Sequence, residues 1–148
     1  MIEAGMGKQY CSFIVGELLV GIEVDRVREI LTDQEVTPVP LAPTSVLGLL
    51  NLRGELMTVV DARRRLGLHE RDGDQPAAHV IVVTGGEALS LVFDAEKEVV
   101  EVDPATARDV PEIIPSEIRT LLSEIYELAD STLLLALDPD RALSLIAT

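Results

Sequence analysis

The run Gly48-Leu49-Leu50-Asn51-Leu52-Arg53-Gly54-Glu55-Leu56-Met57-Thr58-Val59-Val60-Asp61 constrains the fold more than any other part of the chain. Two apolar segments flank Arg53-Gly54-Glu55, and a glycine there takes the positive φ of a tight turn at little steric cost. Asp61 is a good helix N-cap and Gly67 a good residue just past a helix end. The stretch to Leu68 therefore predicts strand, tight turn, strand and one short capped helix. A guanidinium at the edge of an apolar hairpin is costly if buried without a partner, so Arg53 calls for a carboxylate from elsewhere in the chain.

The rest of the chain is punctuated in the same way. Residues 1–8 read as a loose leader. Tyr10 to Val15 alternates, Gly16-Glu17 turns the chain, and Leu18 to Val24 returns as a second strand. Asp25 caps a predicted helical turn through Leu31, with Val27, Ile30 and Leu31 on one side at helical spacing. Thr37 to Pro43 is proline-rich and should run extended along an edge. Ser45 to Leu47 suits one helical turn. The polar segment from His69 to Ala78 is the best boundary in the chain.

Val80 to Thr84, Gly85-Gly86 and Leu89 to Phe93 then repeat the strand, turn, strand pattern. Aligning residues 21–30 with residues 90–99 sets Asp25 on Asp94 and Glu29 on Glu98, with most apolar positions matched. This weak internal repeat points to two related β units. Ile118 to Glu127 fits either helix or strand. Leu133 to Leu137 reads as a buried strand, and Asp138-Pro139 opens a final helix.

Composition narrows the function. The chain has 148 residues, 47% of them apolar, and a net charge of −14, which repels phosphate backbones and anionic lipid. Nucleic acid and direct membrane contact are thus excluded as expected partners. No apolar run reaches the roughly 18 residues of a spanning helix, and no signal peptide is evident. Cys11 is the only cysteine, so a reducing, cytoplasmic setting is expected. There is no phosphate loop, nucleophile elbow or zinc-ligand spacing, and no metal or cofactor is expected. Arg63-Arg64-Arg65 is the one basic cluster. It suits a solvated cap at a helix C-terminus, with a partner contact as the second reading.

Asn51-Leu52-Arg53-Gly54, then Val59-Val60-Asp61, Arg63 and Leu66-Gly67-Leu68, resemble the central motif of the CheW family. The similarity runs from about Gln9 to Leu145, with Ala62 where Leu is usual and no glycine between Arg119 and Asp130. The resemblance implies a mainly β fold. Two small five-stranded, SH3-like β-barrels pack around a shared apolar core, with a few short helices. After the leader 1–8 it implies a single domain over 9–148, with the first barrel at about 9–68, the second at about 78–137 and a helix at about 138–146.

It also implies a non-enzymatic adaptor that couples chemoreceptors to the histidine kinase CheA. The implied partners are the CheA regulatory domain and the cytoplasmic tip of a methyl-accepting chemoreceptor. The tip would dock beside the first barrel at Val27, Ile30, Gly48, Leu50, Asn51 and Arg53. Glu29 is placed to pair with Arg53, fixing the short helix against the hairpin. Two alternatives are a CheW-like module of another pathway, such as one controlling pili or development, and a small-molecule-binding regulatory domain. The last lacks convergent polar groups in the sequence.

Overall fold

The computed structural model describes residues 7–69 and 77–144. Its strands are β1 (Lys8–Val15), β2 (Leu18–Glu23), β3 (Val27–Thr32), β4 (Val46–Leu52), β5 (Glu55–Asp61), β6 (Ala78–Thr84), β7 (Glu87–Phe93), β8 (Ala95–Val102), β9 (Leu122–Glu127) and β10 (Leu133–Leu137). Three short helices accompany them among the described residues: α1 (Ala62–Arg65), α2 (Ser116–Arg119) and α3 (Pro139–Leu143). No helix among these residues is long and apolar enough to cross a membrane.

The strands form two five-stranded sheets, ordered β8-β1-β2-β10-β9 and β3-β6-β7-β5-β4. Adding five to each strand number of the second order reproduces the first, once numbers above ten wrap round. The molecule is therefore two copies of one motif related by an approximate two-fold. Each copy pairs its hairpins antiparallel and contributes one parallel pair, β10 with β2 and β5 with β7. Each sheet is curled, and neither closes into a continuous hydrogen-bonded barrel.

This arrangement corrects the expected division into barrels at 9–68 and 78–137. The first sheet takes β1 and β2 from the N-terminal half and β8, β9 and β10 from the C-terminal half, and the second takes the rest. A lone hairpin cannot bury both of its faces. β1, β2, β6 and β7 are buried on both sides over their central residues, so each hairpin is stable only at the centre of a sheet completed by the other half. For the same reason the segment 69–78 does not separate two units, because β5 and β6 on either side of it belong to one sheet. Residues 70–76, like the leader residues 1–6 and helix residues 145–146, lie outside the described residues. Lys8, placed in the leader by the sequence, already pairs with Val102 in β1.

A second correction concerns residues 24–32. The predicted helix is a single 3-10 turn at Val24–Arg26 followed by strand β3. Pairing with β6 matches Val27 to Val82 and Glu29 to Ile81, which leaves Arg28 as the extra residue of a bulge. A bulge adds one residue to the two-residue repeat, so Val27 and Ile30 share a face although they are three apart. That spacing mimics a helix. Val46 and Leu47 likewise open β4 instead of belonging to a helical turn, with Ser45 in the turn before them, and residues 116–127 divide into α2 and β9.

Three apolar clusters fill the molecule. Tyr10, Val102, Tyr126, Leu134 and Ala136 line the inside of the first curled sheet. Leu50, Met57, Val59, Ile81 and Val92 line the inside of the second. Between the sheets lies the largest cluster, which includes Phe13, Val20 and Ile22 from one side and Val80, Leu91 and Phe93 from the other. The rings of Phe13 and Phe93 stack with centroids 4.9 Å apart across this seam. With few aromatic residues, the remainder is branched aliphatic, as composition required. Tyr126 donates to Glu124, and burial together with that bond pushes its phenol well above the ordinary range.

Two polar joints lock the sheets at equivalent corners. Where β7 passes into β8, Asp94 accepts from Arg63 Nε at 2.8 Å, from Arg63 Nη2 at 2.7 Å and from the Gly16 amide at 2.8 Å. Where β2 passes into β3, Arg26 Nη2 donates to Asp140 at 2.6 Å, and Thr84 also donates to Asp140. Arg63 and Asp140 each stand two residues after an N-cap aspartate, Asp61 and Asp138. The two joints sit at corresponding corners with acid and base exchanged, although Arg26 stands one position past Asp25, the residue that the repeat aligns with Asp94. Arg63 is therefore not a solvated cap residue, as the basic cluster had suggested. A carboxylate placed by the other half of the chain holds it, and sequence-local reasoning cannot see such a partner.

Candidate functional site

The β4–β5 turn is built by its own residues. Arg53 and Gly54 both have positive φ, at 51° and 86°, which is the two-residue turn whose twist matches the flanking strands. Asn51 Oδ1 accepts from the Gly54 amide at 2.9 Å and so closes the corner. This local geometry aims Arg53 across the gap between hairpin and β3, the opposite edge of the same sheet. There Arg53 Nη2 meets Glu29 Oε2 at 2.5 Å, and Arg28 Nη2 meets Glu55 Oε1 at 3.0 Å. Two crosswise ion pairs thus bridge a gap that no backbone ladder closes.

The Arg53 side chain is 67% exposed and that of Glu29 29% exposed, so the pair is screened by solvent. The hydrogen bond and charge of Glu29 raise the pKa of the Arg53 guanidinium. The element braced against the hairpin is strand β3, not the helix anticipated from sequence. A double-mutant cycle over Glu29→Gln and Arg53→Gln, read by chemical denaturation, should return a coupling much smaller than the same cycle over Arg63 and Asp94. Equal couplings would contradict the exposure difference.

The six residues expected at the docking surface do not line one groove. Val27 and Ile30 are half-buried and pack against the core shared by the sheets, at its rim along the edge strand β3. Leu50 points into the second sheet's interior and is 2% exposed, so its role is in the core. Gly48 is also buried, with φ of 150°, and a Cβ built there would lie 2.1 Å from the Thr37 carbonyl oxygen. That close approach lets Thr37 exchange both backbone hydrogen bonds with Leu49, at 2.9 and 2.8 Å, and cover the β4 edge. Gly48→Ala should therefore cost about 2 kcal/mol and expose that edge to proteolysis between residues 37 and 43. Unchanged stability and protease resistance would show that the segment is not seated as described. Only Asn51 and Arg53 of the six are exposed at the hairpin tip.

Sequence reasoning passed over two exposed residues that the two-fold relates. Leu41 is 104% exposed on the β3–β4 connection, and Ile113 is 90% exposed on the β8–β9 connection. Each follows an isolated bridge onto an edge strand, Thr37 to Leu49 and Arg108 to Ile125. The signal was present as a short segment with large aliphatic residues held between prolines, Pro40-Leu41-Ala42-Pro43 and Pro111-Glu112-Ile113-Ile114-Pro115.

Catalytic chemistry finds little to use here. The buried pair His79 Nδ1 and Ser90 Oγ lies 3.2 Å apart, but Ser90 is sealed between β6 and β5 and a substrate cannot reach it. Among the described residues no group of three or more His, Cys, Asp or Glu is placed to hold a metal ion. Cys11 is buried, and burial raises its thiol pKa, which leaves it a poor nucleophile.

The chain is similar to known proteins over most of its length. The profile of the CheW-like domain matches residues 9–147. A chemotaxis protein CheW of Rhizobium meliloti (strain 1021) is 32% identical over 109 residues, covering 72% of this chain and 69% of that protein. A chemotaxis protein CheW of Treponema pallidum (strain Nichols) is 30% identical over 110 residues, covering 72% of this chain and 65% of that protein. The crystal structure of the scaffolding protein TtCheW from Thermoanaerobacter tengcongensis superposes with a TM-score of 0.82, at 26% identity and 90% coverage of each chain. With the duplicated sheets, the shared core and the Asn51–Gly54 corner, these matches establish that the chain belongs to the CheW-like domain family.

Proposed function

We propose that this protein is a non-enzymatic, cytoplasmic adaptor that couples the cytoplasmic tip of a chemoreceptor to the regulatory domain of the histidine kinase CheA. The observation that carries the reading is the position of Val27 and Ile30. They lie half-buried on the free edge strand β3, where the core between the two sheets comes to the surface. An apolar rim of this kind suits the face of a helical hairpin, which is how a receptor tip would present itself. Asn51 and Arg53 stand at the adjacent hairpin tip and would add polar contacts. Leu50 and Gly48 act on this surface only indirectly, as supports. An adaptor of this kind works by binding alone, so any effect of receptor state on the kinase is a difference in affinity between receptor states.

The test is a titration of a receptor-tip fragment and of a CheA regulatory domain by calorimetry. Val27→Ala and Ile30→Ala should each weaken receptor-tip binding about tenfold, while CheA binding stays as in the parent protein. Both side chains also contribute to the core, so Val92→Ala, inside the second sheet, serves as the control for lost stability. If Val92→Ala weakens receptor binding as much as Ile30→Ala does, the rim is not the contact surface.

A further inference from the structure

A basic cavity lies where the three helices meet, away from β3 and the Asn51–Gly54 corner. It has a volume of about 440 Å³ and is lined by Arg64, Arg65 and Gly67 around the end of α1, Glu117, Thr120 and Leu121 around α2, and Arg141 and Ser144 around α3. That size falls in the range of small-molecule sites. In a protein of net charge −14, three of the arginines are gathered around this one opening.

The backbone holds these guanidiniums in place. Arg65 Nε donates to the Ala142 carbonyl at 2.7 Å and Nη2 to the Arg141 carbonyl at 3.3 Å. Arg64 Nη1 donates to the Thr44 carbonyl at 3.0 Å, and Arg141 Nη1 to the Leu122 carbonyl at 3.2 Å. Asp61 lies 3.6 Å from Arg64, and Asp138 lies 3.5 Å from Arg141, as partial counter-charges. No carboxylate among the described residues pairs with Arg65, and burial pulls its guanidinium below the ordinary range. A guanidinium carries five N–H donors. Arg65 Nη1 and Arg141 Nη2 have no partner among the described residues, so fixed donors remain for a ligand.

Capping the carbonyls at the end of α3 explains why Arg65 is anchored, since cations are favourable at a helix C-terminus. It does not explain three like charges around one opening, where Glu117 is the one carboxylate among the described lining residues. Repulsion of that kind is relieved by an anion. Guanidiniums approaching from two helices suit a tetrahedral, multiply charged oxyanion with acceptors on several sides, whereas a planar carboxylate is satisfied by a single arginine.

We infer that this cavity is a phosphate-binding site, taking inorganic phosphate or the phosphate group of a small phosphate monoester. The site shares no lining residue with the receptor-tip surface proposed above at Val27, Ile30, Asn51 and Arg53. Titration calorimetry in chloride buffer of fixed ionic strength, with inorganic phosphate in one arm and adenosine monophosphate in the other, tests it. Saturable binding is expected in at least one arm. Tighter binding of the nucleotide assigns the monoester, and equal binding assigns the free ion. Arg141→Gln should weaken that binding about tenfold. Glu117→Gln, which removes the opposing charge, should tighten it several-fold. The two variants move in opposite directions, so a general loss of structure cannot imitate the pattern. Absence of binding in both arms, or unchanged affinity in both variants, overturns the assignment.

Discussion

Phe13→Ala is expected to lower the free energy of unfolding by about 4 kcal/mol, the middle of the range for an enclosed aromatic ring. Phe13 comes from β1 and Phe93 from β7, both fully buried, so the stacked pair joins the two sheets at the centre of their shared core. The loss has two parts. One is the transfer of a ring into water, and the other is a cavity that neighbours on two stiff sheets cannot collapse to fill. Urea denaturation followed by circular dichroism reads the change. Phe93→Ala should cost a similar amount. The double variant should fall short of the sum, because the second truncation removes a contact that the first has already broken. A loss below about 1 kcal/mol for either single variant would mean that the seam repacks and that the sheets are not held as described.

Asp94→Ala is the second large effect, at about 3 kcal/mol. The Arg63 and Asp94 side chains are 21% and 18% exposed, so this pair is far better shielded than the one at the hairpin tip. Removing the carboxylate leaves the Arg63 guanidinium without that partner in a place of low solvent access. It also takes the acceptor from the Gly16 amide. An enclosed donor left unmet is expensive, whereas a pair that never formed would cost little. The damage should also be local. Hydrogen exchange at Gly16 should quicken more than at Val80 in the middle of β6, because the joint tethers the β1–β2 turn specifically. Asp140→Ala removes the equivalent joint, but the Asp140 side chain is 58% exposed, and the expected cost is below about 1 kcal/mol. If the two aspartates cost the same, shielding is not what separates the joints.

Within this molecule the single residue and its short-range neighbours carried a good deal of information. The turn at Arg53-Gly54, the N-caps at Asp61 and Asp138 and the β4–β5 and β6–β7 hairpins were legible because each depends on groups a few residues apart, and the repeat between residues 21–30 and 90–99 because it needs only the order of residue types. The candidate site was legible only in part. Arg53 and Glu29 do meet at 2.5 Å, but Leu50 and Gly48 proved to be interior, because an apolar segment does not announce which of its faces is covered.

The sequence by itself determined the β1–β2, β4–β5 and β6–β7 hairpins, that the core would be aliphatic, and that two related units were present. Only the tertiary structure decided which strands share a sheet. Partners such as Lys8 and Val102 are brought together by the exchange of hairpins between halves, and no local pattern encodes that choice. The same holds for β3, where one bulged residue turned a strand repeat into helix-like spacing, and for Arg63, whose partner Asp94 is supplied by a distant corner. The physical reason is common to all three. A strand reveals its period locally, but its neighbours are selected by burying both faces at once, and that is a property of the assembled sheets.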